Sequence, residues 1–466
     1  MSRPVNKLIK RCVVCGGLDI LLHAVITFNN PATVNRHSER MPMTEATLTT
    51  EDFLLAAKQS ELNGLRQLMI SCDLVTKVAA LIHELQRERG LSNSYLVSAG
   101  ERFSEQRDEE LLASSQAEGD LRQALKQLNI SDCSPASSRL YSSIAFVLHC
   151  LDDMPALRDQ VTAKQLNASD NTQRYNRLIA GLLTVIFEAA DISGDPDITR
   201  ALVALFNFVQ GKEYSGQERA WGLIGFTAGS FSGNNQDRLK ALQDAQNRCF
   251  DIFSEFSNTL HAAQWRQLES SEASMELDRL RQMIARFRSG DSLPTAISEV
   301  WYEVATQRID GMQEIVSELA TTLLNLCKEK IKQAEQDLHL HHEHLRELAA
   351  AEEPPMSSLS SLTGGTSAAV NVTPGVNVKL ARSIYDLVQD QAQRLQRISE
   401  ELNEARQALN ERKTIEKAKG ILMQSQGLDE DQAYKQLRQA AMDNNKRILD
   451  VADNVISVAE MLRLKN

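Results

Sequence analysis

The chain has 466 residues, 42% of them hydrophobic, and a formal net charge of −11. That length supports two or three domains with their own cores. The acidic balance excludes general attraction of the whole protein to nucleic acid or anionic membrane, so any polyanion contact must be local. Residues 1–50 read as a poorly structured N-terminal extension. Within it Lys7, Lys10 and Arg11 precede an apolar run with the outline of a signal peptide. Asp19 and His23 interrupt that run, no small-x-small cleavage site follows, and it is short for a membrane span. Cys12 and Cys15 form an isolated C-x-x-C, a weak basis for metal or redox chemistry. All the cysteines are scattered without a disulfide framework, as in a reducing cytoplasm.

From 51 to 347 glycine and proline are sparse and helical periodicity dominates, with no alternating strand pattern. The expected helices are 50–68, 72–98, 104–127, 135–151, 155–166, 171–191, 196–212, 216–227, 235–262, 263–289 and 294–329, followed by a run ending near 344. This region reads as helical bundles. Residues 348–378, including EEPPMSSLSSLTGGTSAAVNVTPGVNV, are rich in Pro, Ser, Gly and Thr and read as a flexible linker. Residues 379–466 form the last domain. Ile384, Val388, Gln391, Leu395, Ile398, Leu402, Ala405 and Leu409 alternate spacings of four and three, a coiled-coil seam of about three and a half heptads. Three short helices follow. The first, about 412–425, is stopped by Gly427. The second has Asp429 as N-cap with Gln432 at capping-box spacing. The third follows Asn444 and Asn445 and carries Ile448, Val451, Ala452, Val455 and Ile456. The fold class is therefore all-α: a helical-bundle domain, a flexible linker, a coiled-coil helix and a small three-helix module.

That module carries 8 basic against 5 acidic residues between Arg412 and Arg447. Lys413 and Lys417 lie one turn apart, Arg412 and Lys419 on an adjoining face, and Arg438, Lys446 and Arg447 come from the next two helices. Phosphates need such cationic donors, and loop bases can be read once splayed out. The stretch IEKAKGILM (Ile415, Ala418, Lys419, Gly420, Leu422, Met423), with Ala433, Leu437, Arg438, Ala441, Val451 and Ala452, resembles the ANTAR domain of bacterial transcription antiterminators. The resemblance implies binding of paired RNA hairpins in leader transcripts, with Arg412, Lys413, Lys417, Lys419, Arg438, Lys446 and Arg447 as the RNA-contact candidates.

Upstream, Val78, Ile82, Leu85, Arg89, Ser92 and Leu96 share one helical stripe, which aims Arg89 at the core. Arg219 lies in a similar stripe with Phe208, Lys212, Ser215 and Phe226. A buried guanidinium is costly unless it is paired. Glu88-Arg89-Gly90 before Ser98-Ala99-Gly100 is echoed by Glu218-Arg219-Ala220 before Thr227-Ala228-Gly229, in outline an internal duplication. LIHELQRERGLSNSYLVSAG and FVQGKEYSGQERAWGLIGFTAGSF resemble the NIT domain, an all-helical nitrate- and nitrite-sensing module, over roughly 53–344. The resemblance implies that Arg89, Arg219 and Arg281 enclose the anion, with Arg87 as a looser candidate because it leaves the Arg89 stripe. Arg281 shares a face with Ser274, Leu277 and Ile284. A guanidinium fork matches two oxygens of planar nitrate, and Glu88 or Glu218 would balance the excess charge.

NIT followed by ANTAR implies a cytoplasmic, nitrate- or nitrite-responsive antiterminator. It implies no enzyme activity and no cofactor beyond the ligand. The expected partners are leader mRNA with paired hairpins and a second copy of the chain as a homodimer, without DNA or membrane. In this reading the empty sensor covers the RNA face and the anion frees it. Two other readings stay open on the residues alone: the same output under another small anion, and a coiled-coil scaffold whose basic tail holds a partner protein. His339, His341, His342 and His344 crowd one helix end, but no cysteine or fixed carboxylate completes a metal site.

Overall fold

The computed structural model describes residues 50–128, 130, 135–286, 297–350, 378–428, 430–444 and 446–463. The chain divides into Met1–Leu48 and Thr49–Asn466. The first unit, with the expected N-terminal extension and Cys12-x-x-Cys15, lies outside the described residues. So do 351–377 of the expected linker, the expected cap Asp429, and Asn445.

Every described regular element is an α-helix. The sensor half consists of α1 (Thr50–Val97), α2 (Ser104–Leu125), α3 (Pro135–Asp152), α4 (Met154–Thr162), α5 (Ala168–Asp191), α6 (Pro196–Thr227), α7 (Gly233–Phe256), α8 (Thr259–Glu269), α9 (Glu272–Arg286) and α10 (Ile297–Ala350). The output half consists of α11 (Val378–Gln426), α12 (Glu430–Asp443) and α13 (Ile448–Arg463).

The sequence expectations differ from these bounds mainly where serine or asparagine sits inside a helical pattern. Residues 50–68 and 72–98 form one helix of 48 residues. The Ser71 hydroxyl donates to the Gln67 carbonyl four residues back, so it is absorbed into the helix instead of capping a new one. Expected helices 196–212 and 216–227 likewise fuse into α6, with Ser215 donating to the Gly211 carbonyl at 3.1 Å. The reverse holds at 235–262. Asn258 accepts the His261 N–H at 2.8 Å and starts α8 afresh, because its side chain satisfies an orphan donor of the first turn. Ser271 does the same for Ser274 N–H ahead of α9, so the expected 263–289 helix is also broken. Expected helix 155–166 ends at Thr162, where Lys164 takes a positive φ of 56°. Expected helix 171–191 starts earlier, at Ala168, capped by Asn167.

Two further fusions bear on function. Residues 297–350 run as one helix of 54 residues, with no internal proline to stop it. The expected seam helix and the first helix of the module are one 49-residue helix, α11, which ends where Gly427 adopts φ 69°. Most seam side chains lie outside the described set; Ile398 and Leu402 are half-buried.

The main core joins α1, α5 and α6 with α10 around Leu74, Ile82, Tyr175, Ile186, Leu205 and Phe208. A second core around Phe226, Phe231, Leu277 and Trp301 links α6 to α9 and α10. The output module has its own core of Ala418, Leu422, Ala433, Leu437, Ala441, Val451 and Ala452. Three of its members are fully buried alanines, which let α11, α12 and α13 approach closely. Gly420, by contrast, faces open space, so it does not serve helix packing.

Candidate anion site and nucleic-acid interface

Arg89 on α1 and Arg219 on α6 are both buried and face one another across the α1–α6 contact. Each rests on a glycine of the other helix. A Cβ at Gly216 would lie 2.6 Å from Arg89 Nη2, and one at Gly90 would lie 2.7 Å from Arg219 Nη2. Only glycine leaves room for a guanidinium at these points.

The two arginines are satisfied differently. Arg89 donates to both oxygens of Glu213, at 2.6 and 3.2 Å, and to Asn176 Oδ1 at 2.5 Å. Glu213 also accepts from Gln86 Nε2 at 2.8 Å and Gln217 Nε2 at 2.9 Å. Arg219 makes no ion pair among the described residues. It donates to Thr306 Oγ1 at 2.9 Å and the Gln86 carbonyl at 3.1 Å, and lies 5.1 Å from the Tyr302 ring centroid. Burial lowers its pKa, and the charge of Arg89 adds to the effect. A buried cation with no direct counter-ion, next to a second guanidinium, is what a small anion would relieve.

Lys212, two turns before Arg219 on α6, is also buried, with its Nζ at 2.9 Å from His83 Nδ1 and 2.8 Å from Gln313 Oε1. Burial pushes its pKa down to about 7. Burial first, then Lys212, drives His83 down to about 2, so the imidazole is neutral and its Nδ1 accepts.

Glu88 and Glu218, the expected counter-charges, face elsewhere. Glu88 accepts Arg158 Nε at 2.8 Å and Nη2 at 2.9 Å, together with Tyr175 and Ser114 hydroxyls. Glu218 accepts Arg281 Nε at 2.8 Å and Nη2 at 2.6 Å, together with the amides of Gln243 and Gln246. The sequence echo is therefore repeated in three dimensions: each Glu-Arg pair sends its arginine to the shared nest and its glutamate to a bidentate lock with a third arginine.

Of the sequence-derived anion residues, Arg89 and Arg219 are brought together. Arg281 is not with them; it belongs to the Glu218 lock. Arg87 is half exposed and paired with Glu110 of α2 at 2.8 Å. Sequence reasoning missed Glu213, Asn176 and Thr306, which line the nest, and it missed Arg308. Arg308 is buried on α10 without an ion pair among the described residues, and donates only to Ser215 and Gln246. The spacing Trp301, Ala305, Arg308, Met312 is an apolar stripe broken by one arginine, the same signal that revealed Arg89.

The output module lies against the sensor. Arg438 pairs with Asp244 of α7 at 2.9 Å, Lys435 with Asp237 of α7 at 3.1 Å, and Lys413 with Asp191 of α5 at 3.4 Å. Arg406 donates to the Ser193 carbonyl at 3.0 Å, and Arg248 of α7 lies 5.0 Å from the ring centroid of Tyr434. A cleft of about 830 Å³ runs along this seam, with Lys419, Lys435 and Arg438 in its wall. Lys419 is almost fully covered and bonded to Glu416 at 2.8 Å, not solvated. Lys417 and Lys446 are exposed, and Arg447 is exposed and held by Asp450 at 3.2 Å. The Arg412 side chain and that of His344 lie outside the described residues. His339 pairs with Glu343 at 3.3 Å and His341 Nδ1 meets the Asp337 carbonyl at 2.8 Å.

A helical bundle with buried guanidinium groups that make no ion pair among the described residues, and a basic helical module docked on its flank, has the form of a ligand-responsive regulator. Comparison with known families makes this particular. Residues 80–324 match the NIT family, described as nitrate and nitrite sensing, and residues 403–456 match the ANTAR domain. A nitrate regulatory protein of Klebsiella oxytoca is 31% identical over 421 residues, covering 89% of this chain and 96% of that protein. The solved structure of the NasR transcription antiterminator aligns with a TM-score of 0.56 and 28% identity, covering 88% of this chain and 99% of that one. The chain belongs to the NIT family and is a nitrate-responsive regulator of the NasR type, with an ANTAR domain as its output.

Proposed function

We propose that the chain is a cytoplasmic transcription antiterminator that holds its ANTAR domain against the sensor until nitrate or nitrite binds. The anion enters between Arg89 and Arg219, where it neutralises Arg219 and competes with Glu213 for Arg89. Released, the ANTAR domain binds paired hairpins of a leader transcript as a homodimer joined through the α11 seam, and terminator formation is prevented. The observation that carries this reading is charge pairing: Arg438 and Lys413, the cations suited to phosphate, are held by Asp244 and Asp191 of the sensor. RNA and sensor carboxylates then compete for the same groups, so docking and RNA binding exclude each other.

The test is transcription through a leader terminator, with and without nitrate, for wild type and Arg219→Gln. Wild type should read through only with nitrate, and Arg219→Gln should stay at the low level in both conditions. Readthrough by wild type that ignores nitrate, or an Arg219→Gln that responds normally, would sink the proposal.

A further inference from the structure

Beneath α7 lies a second arginine cluster, separate from the Arg89–Arg219 nest. Arg308 Nη1 and Arg281 Nη2 converge on one neutral acceptor, Gln246 Oε1, at 3.2 and 3.1 Å. The Ser215 hydroxyl, whose single proton is shared with the Gly211 carbonyl, lies 2.9 Å from the same oxygen. An amide oxygen has two lone pairs, and here two cationic donors and a shared hydroxyl converge on it. Charge-assisted donors favour an ionised acceptor, so this is the geometry of an oxyanion position filled by an internal substitute. Arg281 already has Glu218 and the exposed Asp278. Arg308 makes no ion pair with either among the described residues, although both carboxylates and Glu269 act on it at longer range; it is buried, in contact with Trp265 at 5.6 Å from the ring centroid. Burial and then the neighbouring charge of Arg281 lower its pKa to about 10. Arg281 carries the cluster to the surface, its side chain being 17% exposed.

We propose that Arg308, Arg281 and Ser215 form a second site for a small oxyanion of the nitrate or nitrite class, occupied in this state by the Gln246 amide. Gln246 lies on α7, two residues from Asp244 and Arg248, which hold Arg438 and Tyr434 of the output module. An anion that displaces the amide has to move the side chain of the helix on which the ANTAR domain is docked. The nest formed by Arg89 and Arg219 has no such direct contact with α7. This inference rests on the reading of the sensor as an oxyanion receptor, but it adds a second binding event.

Equilibrium dialysis of the full chain against nitrate at fixed ionic strength counts bound anions. Wild type should bind two nitrates per chain. Arg308→Gln should bind one, and so should Gln246→Glu, which puts a carboxylate where the anion would sit and gives up the Nε2 donation to Glu218. Arg219→Gln should also bind one. Two nitrates retained by both Arg308→Gln and Gln246→Glu would overturn the second site. One nitrate in wild type, lost in Arg219→Gln but kept by Gln246→Glu, would overturn it while leaving the first site standing. One nitrate lost in Gln246→Glu but kept in Arg219→Gln would support the second site and overturn the first. No bound nitrate in wild type would overturn both.

Discussion

Removing the carboxylates that hold the ANTAR domain tests whether docking suppresses RNA binding. Asp244 and Asp237 are the sensor's partners for Arg438 and Lys435. The Arg438–Asp244 side chains are 48% and 31% exposed, so that pair belongs near the upper end of the range for surface ion pairs, ~0.5–1 kcal/mol. Lys435–Asp237, at 72% and 66% exposed, is largely screened and contributes about 0.2 kcal/mol. Asp237→Ala with Asp244→Ala therefore weakens docking by about 1 kcal/mol, roughly fivefold in the equilibrium constant. If docked and RNA-bound forms exclude each other, apparent RNA affinity without nitrate should rise by up to the same factor. With saturating nitrate it should match wild type, because release has already occurred. Fluorescence anisotropy with a labelled two-hairpin leader RNA measures both conditions. The reasoning fails if the double variant binds RNA no more tightly than wild type in the absence of nitrate. It fails equally if the gain persists undiminished at saturating nitrate, which would place the effect on RNA contact instead of docking.

Gly216→Ala should separate stability from sensing. Its methyl would meet Arg89 Nη2, yet alanine gains about 1 kcal/mol of helix propensity, so melting temperature should change little while nitrate affinity falls at least about tenfold. Gly64→Ala, which meets nothing within 4 Å, should raise the melting temperature and leave nitrate binding intact; a loss of affinity there would discredit the steric argument. Lys212 supplies a pH test. Its folded pKa of about 7 lies below its unfolded value, so between these the unfolded chain holds the extra proton and this group's contribution to stability rises with pH. Chemical denaturation from pH 7 to 9 should show that rise in wild type, and Lys212→Met should flatten it.

Much of this was legible in the residues, for identifiable reasons. Arg89 announces itself because a charged residue occupies one position of an otherwise apolar or small helical stripe, and Gly427 ends α11 because a left-handed residue is needed there. Arg308 carries the same kind of signal on α10 and was passed over, since a single charged residue inside a long helix is usually read as surface. The partners were less legible. That Arg89 meets Glu213, while Glu88 meets Arg158, depends on how α6 and α4 are placed against α1, which no local spacing encodes. Helix ends at serines were also beyond local reading. Ser71 and Ser215 bond backward and continue a helix, whereas Ser271 bonds forward and starts one. The docking of Arg438 on Asp244 joins residues far apart in the chain, so composition revealed the basic face but not what covers it.

The unbroken course of α11 has a thermodynamic consequence. The heptad segment and the first ANTAR helix belong to one continuous helix, which touches α6, α10, α1 and α5. Under the proposed release, the ANTAR face would leave α7 together with a shift of α11 on the sensor, so the helix would become available for pairing and the face for RNA in one event. Self-association and RNA binding then share a coupling free energy, and linkage requires it to be reciprocal. Whatever factor dimer formation adds to RNA affinity, RNA must add to dimer affinity, and the steepness of the transcriptional response will depend on protein concentration as well as on nitrate.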